Sequence, residues 1–298
     1  MKEQTIYALG FFDGVHLGHQ ALLTACRELA EEKECASAVM TFSTHPLAIL
    51  TGVPPRRITG SIDRRDLLFS YGMDIVEERF FDKATMETPW LDFMEKFLRP
   101  AGFVCGSDFH FGKGGEGTAE KLAAWCDEAG IPCRIVPQQE LDGIRISSTH
   151  IRSLLEAGNI REANRFLGHP HRLSGKVMKG QGLGHTWGFP TANLALTEGL
   201  VDLPHGVYAC TATVENEVYG AVVNIGTRPT VGGKGVTVEA MLLDFEGDLY
   251  GKKLLLQFFD YLRPEQKFSS VEELKTQIQT DAKNTRHFVE NLELRMEN

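Results

Sequence analysis

The rhythm of apolar residues changes once along this 298-residue chain, and that change constrains the fold more than any other feature. Up to about Gly168, short apolar strands alternate with amphipathic helices, the pattern of βαβ units around a parallel sheet. The strand candidates are Thr5–Leu9, Ala36–Thr41, Asp74–Glu77, Phe103–Cys105 and Cys133–Val136. After the first of them Leu22, Ala25 and Leu29 share a helical face, and before the last Leu122, Ala123 and Cys126 do so. From about Arg172 the repeat becomes twofold: Gly206–Val214 and Val218–Ile225 flank a turn-like Glu215-Asn216-Glu217, and Val236–Leu243 and Lys253–Tyr261 add strands. That half reads as a small antiparallel barrel with glycines at its corners. A closing helix carries a capping box of Ser270 and Glu273 and an apolar stripe of Val271, Leu274, Ile278, Ala282, Thr285, Val289 and Leu292. The expected class is α/β, with a parallel-sheet domain over 1–168 and an antiparallel barrel plus terminal α-helix over 169–298.

Charge narrows the partners. The chain has 31 basic and 40 acidic residues, a net of −9. Up to Gly168 the count is 18 against 24, leaving 13 against 16, so the halves carry −6 and −3. Neither is a nucleic-acid footprint. No apolar run approaches the ~20 residues of a membrane span, and Met1-Lys2-Glu3 leads straight into a strand-like segment, so no secretory leader is expected. The six cysteines lack the close spacing of a zinc knuckle or redox pair and read as buried thiols of a cytoplasmic protein.

The strongest local signal is Gly10-Phe11-Phe12-Asp13-Gly14-Val15-His16-Leu17-Gly18-His19, where the first strand hands over to the first helix. Glycines there let backbone amides approach a phosphate, and the helix N-terminus adds N–H groups and its dipole. His16 and His19 share a face of the first turn and can donate hydrogen bonds to charge developing in a nucleotidyl transfer. Spacing alone also fits two capping histidines. Ser147, Ser148 and Thr149 open a second helix, either as N-caps or, with Arg152, as a clamp on nucleotide phosphates. Asp108, Phe109 and Phe111, after the fourth strand, offer a carboxylate and aromatic surface, or a packed loop.

In the second half Gly180, Gly182 and Gly184 form a glycine-rich stretch suited to covering ATP phosphates. Thr191 and Asn193 are two apart on a strand-like segment and can present oxygen to Mg²⁺, or cap a turn. Glu239 interrupts an apolar strand of Val236, Val238, Met241 and Leu242, a place where a carboxylate with a raised pKa would suit a general base.

The first three elements, in this order, resemble the adenylyltransferase module of the bacterial bifunctional riboflavin kinase/FAD synthetases, within the HxGH nucleotidyltransferase superfamily. The second half resembles their riboflavin kinase module through Gly188-Phe189-Pro190-Thr191-Ala192-Asn193, Asn224-Ile225-Gly226, Val238-Glu239 and Leu262-Arg263. The likeness spans the chain in family order. It implies a Rossmann-like nucleotidyltransferase domain that adenylylates FMN to FAD, releasing pyrophosphate without a covalent intermediate, and a six-stranded barrel that phosphorylates riboflavin with ATP. By this resemblance His16, His19, Arg152 and Glu239 are catalytic, and Gly10, Phe12, Asp13, Gly14 and Gly18 hold nucleotide together with the hydroxyl and glycine-rich segments. Asp108, Phe109, Phe111, Asn224 and Arg263 would contact flavin, and Thr191 and Asn193 would hold Mg²⁺. The pattern is departed from at Phe11, at Ser43-Thr44, and at Leu183 and His185, where the family commonly has arginine.

Three readings follow. The leading one is a two-step flavin-cofactor enzyme using riboflavin, FMN and ATP, with no nucleic-acid or membrane partner. A second is adenylyl transfer alone, to FMN or another phosphate-bearing acceptor, the barrel being a non-catalytic flavin-binding module. A third is a flavin-binding regulator without turnover.

Overall fold

The computed structural model describes residues 4–97, 100–178, 191–230 and 233–296. Its contacts divide the chain into two units, Met1–His150 and Ile151–Asn298.

In the first unit the elements run β1 (Thr5–Leu9), α1 (Leu17–Glu32), β2 (Ala36–Phe42), α2 (Pro46–Thr51), α3 (Ser61–Ser70), β3 (Ile75–Arg79), α4 (Lys83–Met86) and α5 (Trp90–Met94). They continue with β4 (Pro100–Gly106), β5 (His110–Phe111), β6 (Gly117–Thr118), α6 (Ala119–Glu128), β7 (Cys133–Val136), β8 (Glu140–Leu141) and β9 (Ile144–Arg145). Five parallel strands form a sheet in the order β3-β2-β1-β4-β7. Every residue of β1 is buried, as a central strand covered on both faces requires. Ile6 and Ala8 join Leu23, Cys26, Leu67 and Leu68 of α1 and α3 on one face. Tyr7 and Leu9 join Phe93, Phe103, Leu122 and Cys126 on the other. The expected parallel sheet and its strands are therefore present, each strand within a few residues of its expected bounds. All six cysteines are free; five are buried and Cys133 is half-buried.

In the second unit α7 (Ser148–Glu156), which opens at the end of the first, leads into α8 (Ile160–Leu167), β10 (His171–Met178), β11 (Ala192–Ala195), β12 (Gly206–Val214), β13 (Glu217–Thr230), β14 (Gly233–Leu242), β15 (Lys253–Pro264) and α9 (Val271–Met296). The six strands close into a barrel in the order β10-β11-β14-β13-β12-β15. Tyr208, Cys210, Ala212, Leu254, Leu256 and Phe258 are fully buried and fill its interior. Residues of opposite parity, Val207, Val222 and Met241, pack instead against Ile278 and Ala282 of α9. Gly206, at φ +154, starts β12 where a Cβ would run into the Arg263 carbonyl and the Tyr261 ring.

The division at His150 differs from the boundary read at Gly168. Helical periodicity groups residues 151–167 with the α/β half, but α8 is bonded to the barrel. Asn164 donates to the Phe258 carbonyl at 2.8 Å and accepts from the His171 amide at 2.8 Å, and Arg161 pairs with Asp260. The capping box also differs in detail. Ser270 Oγ accepts from the Glu273 amide as expected, but the Glu273 carboxylate returns to Ser269. The stripe residues Ala282 and Thr285 are buried, Val271 is exposed, and the Leu292 side chain lies outside the described residues.

Candidate active sites

In the first unit the carboxyl ends of β1, β4 and β7 open into a cleft of about 310 Å³, where ligands bind in such sheets. Gly10, His16, Gly18, His19, Asp108, Ser147 and Ser148 are among its lining residues. His16 is the N-cap of α1, its Nδ1 accepting from the His19 amide at 3.3 Å. That bond assigns the ring proton to Nε2, a donor. The two imidazoles stack with centroids 3.6 Å apart and planes at 12°. Burial, then the neighbouring His16 and Arg64, hold His19 well below the usual histidine range, so it is neutral at neutral pH. The His16 Nε2–H can thus serve an oxyanion without a prior proton loss, while the His19 Nδ1 is buried with no hydrogen-bond partner among the described residues.

The turn before α1 is strained. Phe12 and Val15 have φ of 58° and 42°, left-handed values that a β-branched or aromatic residue adopts only when its surroundings impose them. Phe12 is wholly buried in the core, and Asp13 is 3% exposed. Asp13 Oδ1 accepts from the Ile58 and Thr59 amides at 2.9 and 3.2 Å, while Thr59 Oγ1 accepts from the Gly14 amide. Ser148 Oγ donates to the Asp13 carbonyl at 2.9 Å. Phe12, Asp13, Gly14 and Thr149, expected on nucleotide, are thus not among the cleft's lining residues; the first three shape the turn from behind. Arg152 lies on α7 one turn past Ser148 and falls in the second unit.

Asp108 forms an ion pair with Arg145 at 2.7 Å. Phe109 and His110 line the cleft and also a second, aromatic cavity of about 380 Å³, walled by Phe42, Pro46, Leu50, Phe93 and Phe111. Of the three expected flavin residues here, Phe109 and Phe111 face the aromatic space and Asp108 the polar one. Sequence reasoning missed Thr59, Arg145, Phe42 and α2, because each reaches the site through tertiary contact and none lies in a recognisable local pattern.

In the barrel, strand register assembles the other set. Asn193 of β11 and Asn224 of β13 are each directly opposite Glu239 of β14, so the three side chains project from one face as a row. Val222 and Met241 share that parity and pack beneath α9, which places the row on the barrel's outer face. Glu239 is half-buried, not enclosed as its apolar flanks suggested. Thr191, just before β11, lines a cavity of about 460 Å³ with Phe245, Glu246, Asp248 and Tyr250. Arg263 is held by Asp281 of α9, with Nε and Nη2 within 3.2 Å of the carboxylate, and lies over the Phe268 ring. Gly180, Gly182 and Gly184, together with Leu183 and His185, lie outside the described residues.

The family profile for riboflavin kinase matches residues 167–289, and that for FAD synthetase matches residues 1–150. The bifunctional riboflavin kinase/FMN adenylyltransferase of Bacillus subtilis is 35% identical over 98% of this chain and 94% of its own length. The chain belongs to this family. The Escherichia coli K12 member of the bifunctional riboflavin kinase/FMN adenylyltransferases is 36% identical over 96% of the chain and 93% of its own length. A Streptococcus pneumoniae crystal structure, named macrolide-efflux protein, superposes with a TM-score of 0.86 at 30% identity, covering 96% of this chain and 95% of that one. Among the described residues no helix is long and apolar enough to cross a membrane.

Proposed function

We propose that the chain makes FAD from riboflavin in two ATP-dependent steps, riboflavin kinase followed by FMN adenylyltransferase, one in each unit. Full-length likeness to relatives named for both activities supports this over a single adenylyl transfer with an idle barrel. The observation that carries the chemistry is the pair of cavities sharing Phe109 and His110, polar on one side and aromatic on the other. A flavin phosphate beside a nucleoside triphosphate needs such a pair.

In the first unit the isoalloxazine lies in the aromatic cavity and ATP in the polar cleft. An FMN phosphate oxygen attacks the α-phosphorus and pyrophosphate leaves. His16 and His19 donate to the oxygens that gain charge, the α1 N-terminus holds phosphate, and Ser147 and Ser148 steady the β- and γ-phosphates. In the barrel Glu239 takes the proton of the ribityl 5′-hydroxyl as it attacks the γ-phosphorus in line, the bond to the β,γ-bridging oxygen breaks and ADP leaves.

Magnesium would be held by Thr191 and Asn193, neutral oxygen donors two apart along the strand, which would leave coordination positions for phosphate. When bound with ATP it would draw charge off the phosphate oxygens. Six free cysteines suit a reducing compartment, and the enzyme is placed in the cytoplasm.

A chromatographic time course with riboflavin, ATP and Mg²⁺, beside one started from FMN, tests it. FMN followed by FAD is the expected result. FAD from the FMN-started reaction alone would mean an inactive barrel, and no product from either would mean a binding protein.

A further inference from the structure

The turn that carries His16 is held by a side chain the cleft never exposes. Arg64 of α3 is 2% exposed. Its Nη1 donates to the Phe11 carbonyl at 3.1 Å, and its Nη2 donates to the Phe42 carbonyl at 2.8 Å and to the Glu78 carboxylate. The guanidinium also lies 4.6 Å from the Phe11 ring centroid. His45 meets that same ring edge-on at 4.4 Å, and its Nδ1 caps α2 by accepting from the Leu47 amide. Pro46 and Leu50 of α2 wall the aromatic cavity. One buried cation therefore ties the end of β2 to the strained turn and, through Phe11 and His45, to the cavity wall.

Stability is weak grounds for it: taking a guanidinium out of water is costly, and well-packed apolar residues often replace a buried ion pair without loss. What the guanidinium adds is direction: a planar fork that fixes two carbonyls and a ring together. The Phe11 carbonyl is held twice, since Thr41 Oγ1 also donates to it at 2.9 Å.

Resting on the assignment of adenylyl transfer to this unit, we propose that Arg64 is a positioning residue for that reaction, setting the histidine-bearing turn against the cavity that receives the flavin. The groups around it are Glu78, Asp13 and Arg57. Its charge also adds to burial and His16 in keeping His19 neutral.

The test uses the full chain. FAD formation from FMN and ATP is measured against pH for wild type, Arg64→Met, Arg64→Lys and Glu78→Gln, with FMN formation from riboflavin as the internal control. Arg64→Met is expected to lower kcat for FAD formation 10- to 100-fold, raise KM for FMN several-fold, and move the acid limb of the pH profile upward. Arg64→Lys, which keeps the charge but not the fork, restores the pH limb and only part of kcat. FMN formation stays within twofold. Wild-type kcat, KM and pH profile in Arg64→Met would overturn the proposal. So would a loss that only tracks the folded fraction in thermal unfolding, with KM and pH limb unmoved. Should Arg64→Met not fold, the pattern in Arg64→Lys and Glu78→Gln decides, unchanged kcat and KM in both being the overturning result. A wild type that makes no FAD from FMN removes the functional assignment itself, which is a distinct outcome.

Discussion

A histidine at the start of a helix is commonly a cap, and His16 is one, yet capping is also what orients it. Accepting from the His19 amide through Nδ1 leaves Nε2 as donor, so capping and the proposed donor role rest on the same bond. His171 shows the opposite case, a histidine with no chemistry assigned. It is 1% exposed, neither ring nitrogen has a hydrogen-bond partner among the described residues, and its pKa is pushed down to about 3, by burial first and then by His169 and Arg172. An unfolded histidine titrates near 6.5. Between those values the unfolded state binds the extra proton, so stability from keeping His171 neutral is full above about pH 6.5 and falls as the pH drops. The loss is about 2 kcal/mol by pH 5. Thermal unfolding of His171→Leu is expected to show a flatter dependence between pH 7 and 5 than wild type; parallel curves would refute this.

At the scale of elements, α9 is attached to the barrel by an apolar stripe and by one buried ion pair. Asp281 is 3% exposed and receives both Arg263 and Gln277. Truncating it leaves a largely buried guanidinium without its carboxylate, which costs about 3 kcal/mol. Asp281→Ala should therefore lower the melting temperature by roughly 10 °C, read by calorimetry, with Asp281→Asn losing less. The stripe of α9 was legible from its 3.6-residue period, whereas the ion pair was not, since its partners lie 18 positions apart on different elements. The hairpin shows how local chemistry becomes legible. Glu215 and Asn216 take φ of 50° and 72°, the paired left-handed residues of a two-residue turn, and Glu217 already pairs with Val214. Strands β1 and β7 were readable to the residue because they are short apolar runs bounded by turns. Helices α2, α4 and α5, only 6, 4 and 5 residues long, carry too little periodicity to be seen, and with α2 went one wall of the aromatic cavity. The catalytic candidates fared likewise: the glycine–histidine turn is local, but what braces it comes from residues 41, 58, 59 and 64.

For the whole molecule, His16 and His19 fall in the first unit and Thr191, Asn193 and Glu239 in the second, so the two activities should be separable by single side chains at these positions. In the proposed mechanism, removing His19 forfeits a hydrogen bond to developing charge, worth roughly 10²- to 10³-fold in kcat. Changing Glu239 to glutamine removes the proposed base but keeps its shape, worth about 10²- to 10⁴-fold. His19→Ala supplied with riboflavin should accumulate FMN with little FAD. Glu239→Gln should form almost no FMN from riboflavin yet make FAD at the wild-type rate when FMN is given. The readout is the ratio of the two products by chromatography under both starting conditions, which cancels differences in protein amount. Wild-type FAD formation in His19→Ala would remove that histidine from the reaction, and wild-type FMN formation in Glu239→Gln would move the base elsewhere in the barrel. If both variants lost both products together, the two units would not act independently, and a division of labour drawn from contacts and register would be wrong at its root.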